Sequence, residues 1–461
     1  MNNSVLGIDL GTSSVKILQK FADGRIVKSR SSYENISPNG WWEAICNALS
    51  ELELSTVSAI SLSSQVGTYI VNDKDVIPWN YGVGAEELKK LKEKYNGEIF
   101  LKEISMAHPN ITSYPLPRLL YIKEHYPEIK SVCQPKDFIC EKLTGNRVTD
   151  QYSWRGLVNL ENKEYSEFFL KEIGFEKEKL PEVIDYRELA GYTRKIAVSE
   201  KVLPENIPVF VGLNDYYASL LGMGIQNAGE MFDISGTSEH LGVLEEHIQK
   251  DTELVSGPYL KENVHYGVTA SSGASIKFGL KLLEEQEICL EHMQEKNPPI
   301  FLPYLNGERA PIWDADAKGV FFGIFEDCTK EELAYSTFEG VVFSLYHIYE
   351  TMGKVPVKNM KISGGAAVFP VINQLKAEMF GIPAEILEEN DTSALGAALV
   401  AAIGADWYQN FEEAVKEICK IKEIVMPTGN YKEWLEKRYS IYKELYPALK
   451  QQYERLKEIR K

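Results

Sequence analysis

The chain has 461 residues, with 50 Lys and Arg against 67 Asp and Glu, for a formal net charge of −17. That balance excludes a broad basic face, and with it nucleic acid or an anionic membrane surface as a main partner. It leaves a phosphate ligand open, because backbone N–H groups hold phosphate without basic side chains.

The length implies two large domains or three small ones. No apolar run approaches the ~20 residues of a membrane span, and Met1-Asn2-Asn3-Ser4 carries no basic leader, so no membrane partner and a cytoplasmic location are expected. Cys46, Cys133, Cys140, Cys289, Cys328 and Cys419 form no CxxC pair and read as reduced thiols.

Val5 to Ile8 is an apolar strand ending at Asp9-Leu10-Gly11-Thr12-Ser13. Val15 to Phe21 is a second strand, Asp23-Gly24 a hairpin turn, and Arg25 to Ser29 a third strand. Trp41 to Leu52 has helical spacing, and Val57 to Leu62 and Tyr69 to Val71 read as strands. Helices follow at Glu86 to Tyr95, Leu116 to Lys123 and Asp137 to Leu143. Pro208 to Leu213 is a buried strand that runs through Asn214-Asp215 into a helix at Tyr216 to Leu221.

A second round opens at Met231 to Ile234, a strand ending at Ser235-Gly236-Thr237-Ser238, and Leu241 to Leu244 returns. Helices are expected at Ala274 to Leu283, Lys330 to Tyr349, Pro370 to Phe380 and Ser393 to Ile403, with a strand at Met360 to Ser363. Tyr431 to Lys461 is a charged amphipathic helix that packs either on its own domain or on a partner. Alternating strands and helices indicate α/β architecture. The two strand–acid–Gly-Thr-Ser–strand units form an internal repeat, which places a boundary near Ile225: residues 1–225 as one half and 226–461 as the other.

A Gly-Thr-Ser turn between strands exposes backbone N–H groups and adds hydroxyl donors without charge. Two such turns facing each other would clamp a polyphosphate, whereas one alone is an ordinary hairpin turn. Asp9 reads either as a carboxylate for Mg²⁺ or as the cap of its own turn. Asp215 reads either as the base that accepts a hydroxyl proton or as a helix N-cap. Gly364-Gly365-Ala366, between strand and helix, leaves room for a nucleotide against the backbone, and Thr392 to Ala398 reads as a close-packed structural helix start.

Two phosphate turns, a late Gly-Gly-Ala and a final Ala-Leu-Gly-Ala-Ala helix resemble the sugar kinase, actin and chaperone-ATPase superfamily. Within it the chain is similar to the FGGY carbohydrate kinases, which include xylulokinase, gluconokinase and glycerol kinase. Gly307-Glu308-Arg309-Ala310-Pro311, inside the stretch Phe301 to Gly323, carries most of that likeness, supported by Pro135-Lys136-Asp137 and Thr149-Asp150. Xylulokinases look nearest. The resemblance implies two actin-like (ribonuclease H-like) domains with a cleft between them. It also implies ATP and Mg²⁺, a small sugar or polyol as acceptor, and members that are often homodimers.

By resemblance, Asp215 matches the catalytic base and, with Asp9, the acids near the metal. Gly11, Thr12 and Ser13 match the first phosphate loop, and Gly236 and Thr237 the second. Gly273, Lys277, Gly364, Gly365 and Ala366 match nucleotide contacts. The acceptor positions match Gln65, Val66, Gly67, Trp79 and Tyr216, but several depart from the family. Val66 and Gly67 stand where polar sugar contacts are usual, Tyr81 and Val83 replace charged residues, and Phe369 stands where an Asn often meets adenine. These departures leave the acceptor open among ketoses such as xylulose, sugar acids and polyols. They also motivate an alternative, a catalytically weak sugar- or nucleotide-binding protein on a kinase scaffold.

Overall fold

The computed structural model describes residues 3–459 apart from 107–108, 199–200, 237, 251–253 and 284–287. The chain divides into two compact units: Met1–Gly224 with Asp391–Cys419, and Ile225–Asn390 with Lys420–Lys461.

The first unit opens with β1 (Ser4–Leu10), β2 (Ser14–Phe21) and β3 (Ile26–Ser32), each antiparallel to the next. Helix α1 (Pro38–Ser50) follows, earlier than its apolar spacing suggests, because Ser37 caps it by accepting from the Gly40 N–H at 3.1 Å. Strand β4 (Val57–Ser64) lies parallel to β1, and β5 (Leu189–Tyr192) and β6 (Pro208–Asn214) complete a six-stranded sheet of order β5-β6-β4-β1-β2-β3. β1 and β4 are small or apolar at most positions and buried on both faces, as central parallel strands require. Helix α2 (Asp215–Gly222) leaves β6 directly.

The second unit repeats the pairing. Strand β7 (Met231–Ser235) is antiparallel to β8 (Glu239–Glu245), and β9 (Val255–Tyr259) and β10 (Glu262–Val268) extend the sheet beyond it. Helices α3 (Ser272–Leu280) and α4 (Lys330–Thr351) precede β11 (Met360–Gly364), which lies parallel to β7. Helix α5 (Pro370–Phe380), strand β12 (Ala384–Leu387) and, after an excursion, strand β13 (Ile421–Val425) close a seven-stranded sheet of order β9-β10-β8-β7-β11-β12-β13.

The excursion carries helix α6 (Thr392–Gly404), which belongs to the first unit. The sequence division at 225/226 puts this helix with the second half, yet its packing partners lie in the first. A Cβ on Gly7 of β1 would lie 2.0 Å from Ala394 O, and one on Gly396 1.9 Å from Ala218 O. Small residues thus let α6 lie backbone-close against β1 and α2.

The terminal helix α7 (Lys432–Ile459) packs on its own unit through buried Leu435, Tyr442 and Tyr453. Its Arg438 pairs with Glu339 at 2.7 Å. Among the described residues, none of the six cysteines forms a disulfide. Among the described residues, no helix is long and apolar enough to cross a membrane.

Candidate active site

In the first unit the parallel strands β1, β4 and β6 end level: Leu10 and Asn214 both pair with Ser64. Their shared C-terminal edge is where ligands of α/β sheets bind, and it carries Asp9, Gln65 and Asp215.

Asp9 is 4% exposed. Its Oδ1 accepts from Ser63 Oγ at 2.9 Å and its Oδ2 from Ser393 Oγ at 2.6 Å, so it does not cap its own turn. Burial pushes its pKa up; the two serine hydroxyls and Lys16 oppose that shift. Lys16 itself is ion-paired to Asp391 at 2.6 Å.

Asp215 is the first residue of α2, but the cap is Asn214, whose Oδ1 accepts from the Tyr217 N–H at 3.0 Å. Asp215 is spared that role and accepts from the Tyr216 N–H at 2.9 Å. Burial first, and the charge of Asp9 second, push its pKa from 3.8 up to about 7. Beside it, the half-buried Tyr216 ring meets Tyr217 edge-on at 5.1 Å.

The turn Gly11-Thr12-Ser13 closes by Gly11 N–H donating to Ser14 O at 3.0 Å, with Thr12 and Ser13 exposed. Trp79 Nε1 donates to Thr12 Oγ1 at 3.3 Å, which brings the Trp79 loop onto this turn. The wholly buried Arg118 holds that loop, its Nη2 donating to the carbonyls of Pro78, Trp79 and Tyr81 at 3.3, 3.1 and 2.8 Å.

Gln65 is 4% exposed, and its Nε2 has no hydrogen-bond partner among the described residues. Val66 beside it is exposed. Gly67 has φ of +82°, and its N–H donates to Gln134 Oε1 at 3.1 Å. Gln134 Nε2 in turn donates to Ser153 O at 2.6 Å. Gln134, Arg118, Ser63 and Ser393 thus shape the site from positions that sequence spacing did not single out.

In the second unit, Ser235 and Gly364 face each other on β7 and β11. Ser235 Oγ donates to Ser363 O and accepts from the Ala366 N–H, both at 2.8 Å. The turn at Gly236 and the Gly364-Gly365-Ala366 turn are therefore joined; Thr237 lies outside the described residues. Gly364 has φ of +92°, and a Cβ there would lie 2.0 Å from Ser235 O, so no side chain fits. A Cβ on Gly365 would meet none of the described residues within 4 Å, so among them that residue borders open space. Gly273 and the exposed Lys277 lie on α3. Phe369 turns toward the core, its ring stacked on Phe338 at 6.3 Å.

The repeat itself is offset by one residue. Asp9 stands two positions before its Gly, whereas Asp233 stands three before Gly236. Alternation along a strand puts the two acids on opposite faces. Asp233 is accordingly wholly buried and ion-paired with Lys376.

Residues 4–222 match the model of the FGGY family of carbohydrate kinases, N-terminal domain, and residues 232–405 that of its C-terminal domain. The chain is 28% identical to the xylulose kinase of Staphylococcus epidermidis over 97% of both chains. It is 27% identical to the glycerol kinase of Aquifex aeolicus over 95% of this chain and 97% of the relative. In fold it is similar to the gluconate kinase of Lactobacillus acidophilus, with a TM-score of 0.83, 20% identity and coverage of 98% and 99%. It is likewise similar to Plasmodium falciparum glycerol kinase, with a TM-score of 0.82, 18% identity and coverage of 97% and 98%. Matched by both domain models over most of its length, with two α/β units, the chain belongs to the FGGY family of carbohydrate kinases and is itself a carbohydrate kinase.

Proposed function

We propose that this kinase transfers the γ-phosphoryl group of ATP to a hydroxyl of a small ketose, sugar acid or polyol, with Asp215 as the base. The observation that carries the reading is Asp215 itself: relieved of capping by Asn214, held at the strand edge, and raised to a pKa of about 7. A carboxyl in that range can take a hydroxyl proton near neutral pH. Phosphoryl transfer otherwise asks chiefly for positioning. Gln65 offers an unpartnered Nε2 to an acceptor hydroxyl, and Trp79 and Tyr216 offer ring faces to a sugar. On the nucleotide side, Gly365 of the Gly364-Gly365-Ala366 turn offers, among the described residues, open space where a Cβ would stand.

The donor set fits Mg²⁺. Two hard carboxylates, both raised by burial and with Asp9 raising Asp215 further, suit an ion held by one or two carboxylates plus substrate phosphates. Asp9 and Asp215 would hold it, and when bound it supplies positive charge against the phosphoryl oxygens. Among relatives, xylulose kinases and glycerol kinases both align over nearly the whole chain, so ketoses and polyols head the panel of acceptors. Incubating the protein with Mg-ATP and a panel of pentuloses, hexuloses, sugar acids and polyols, and reading phosphorylated product by mass spectrometry, tests the assignment. A single phosphorylated acceptor is expected; phosphate release without any phosphorylated product would refute it.

A further inference from the structure

Lys376 stands at the middle of α5 and is wholly buried. Its Nζ pairs with Glu239 Oε1 at 2.7 Å and with Asp233. Glu239 Oε2 accepts from Ser272 Oγ, the first residue of α3. The Glu239 backbone N–H also donates to Thr269 Oγ1 at 3.1 Å, just ahead of that helix. Asp233 and Glu239 flank the Gly236 turn on its two strands. Lys376 itself rides on the helix that follows Gly364-Gly365-Ala366. One ammonium group therefore ties together three segments assigned to the nucleotide: the second phosphate turn, the start of α3 with Gly273, and the Gly-Gly-Ala turn.

The charge state suits a permanent tie. Burial, then the charge of Glu239, pushes Asp233 well up, whereas Lys376 and hydrogen bonds hold Glu239 low against its own burial. The Lys376 ammonium thus sits between two buried carboxyl groups. Such a group is costly to break, because removing one partner strands the other in a low-dielectric interior. No part of the chemistry at Asp215 uses it.

We propose that Lys376 is a positioning residue for the nucleotide, fixing the spacing of the three segments that receive it and so setting affinity for Mg-nucleotide; this rests on the nucleotide assignment of those segments.

The test is calorimetric binding of Mg-ADP to the full chain, which needs no acceptor. Lys376→Met is expected to weaken Mg-ADP at least tenfold. Leu345→Ala, a core truncation in the same unit, is expected to lower the melting temperature and leave affinity unchanged. Ser272→Ala severs the link from Glu239 to α3 without stranding a buried charge, and decides the matter should Lys376→Met fail to fold; a threefold or greater loss is expected. In turnover, Lys376→Met and Ser272→Ala should raise KM for ATP and leave KM for the acceptor in place. A folded Lys376→Met, or failing that Ser272→Ala, with wild-type Mg-ADP affinity would overturn the proposal. Wild-type protein that binds no Mg-ADP would instead remove the nucleotide assignment on which it stands.

Discussion

Ser393 Oγ donates to Asp9 Oδ2 at 2.6 Å across 384 residues of sequence. The chain leaves its first unit after α2, builds most of the second, and returns with α6 to place this hydroxyl on the first strand's acid. The bond favours the ionised carboxylate against burial. Ser393→Ala should leave Asp9 harder to ionise and raise the Mg²⁺ concentration for half-maximal activity about tenfold, in line with ~1.5 kcal/mol for a hydrogen bond to a charged group. Ser393→Thr, which keeps the hydroxyl, should restore it. An unchanged Mg²⁺ titration in Ser393→Ala would separate Asp9 from the metal.

Asp215 predicts opposite effects of pH on activity and stability. As a base it must be ionised, so kcat/KM for the acceptor should rise about tenfold per pH unit up to roughly 7 and then level off. Its folded pKa of about 7 lies above the usual 3.8, so its contribution to stability is full below about pH 4 and is lost as pH rises through 7. Asp215→Asn should therefore stabilise the fold at pH 8 by roughly 4 kcal/mol, seen as a higher melting temperature, and change little at pH 4. Thermal melts at the two pH values check this.

Gln65 carries a buried Nε2 with no partner among the described residues. Removing an unsatisfied buried donor commonly stabilises a fold by on the order of 1 kcal/mol. Gln65→Leu should melt later than wild type yet raise KM for the acceptor at least tenfold, while KM for ATP holds. A loss of stability together with an unchanged acceptor KM would show that Gln65 serves packing alone.

Two glycines should behave in opposite ways. A Cβ on Gly396 would lie 1.9 Å from the backbone oxygen of Ala218, so Gly396→Ala must push α6 off α2, at a cost of about 3 kcal/mol. A Cβ on Gly365 meets nothing within 4 Å, so Gly365→Ala should keep wild-type stability and weaken Mg-ADP. Urea unfolding and calorimetry separate the two outcomes.

The elements that announce themselves locally were legible in the sequence. Strand β1 into Gly-Thr-Ser, strand β6 into Asp215, and the small-residue start of α6 each carry their pattern within a few residues. What escaped depends on partners far along the chain. Ser63 and Ser393 reach Asp9 from 54 and 384 residues away, and nothing in a Ser marks that role. The helix α6 showed its close packing but not its partner, which is why its unit could not be read from position.

Strand β10, Glu-Asn-Val-His-Tyr-Gly-Val, mixes polar and apolar residues and lacks clean alternation. Edge strand β13 is mostly exposed, so burial left no apolar signature there. The two strand–acid–Gly-Thr-Ser units share a pattern but not the spacing of the acid. A single extra residue before the second Gly turned Asp233 into the core, where Lys376 pairs with it.

The central claim is that Asp215 takes the acceptor's proton, and steady-state turnover of Asp215→Asn beside wild type tests it most directly. With Mg-ATP and the acceptor found by the product screen, kcat should fall by about 10²–10⁴-fold, the usual weight of a general base, while affinity for ADP measured without Mg²⁺ stays at the wild-type value. Full turnover in Asp215→Asn would contradict the account.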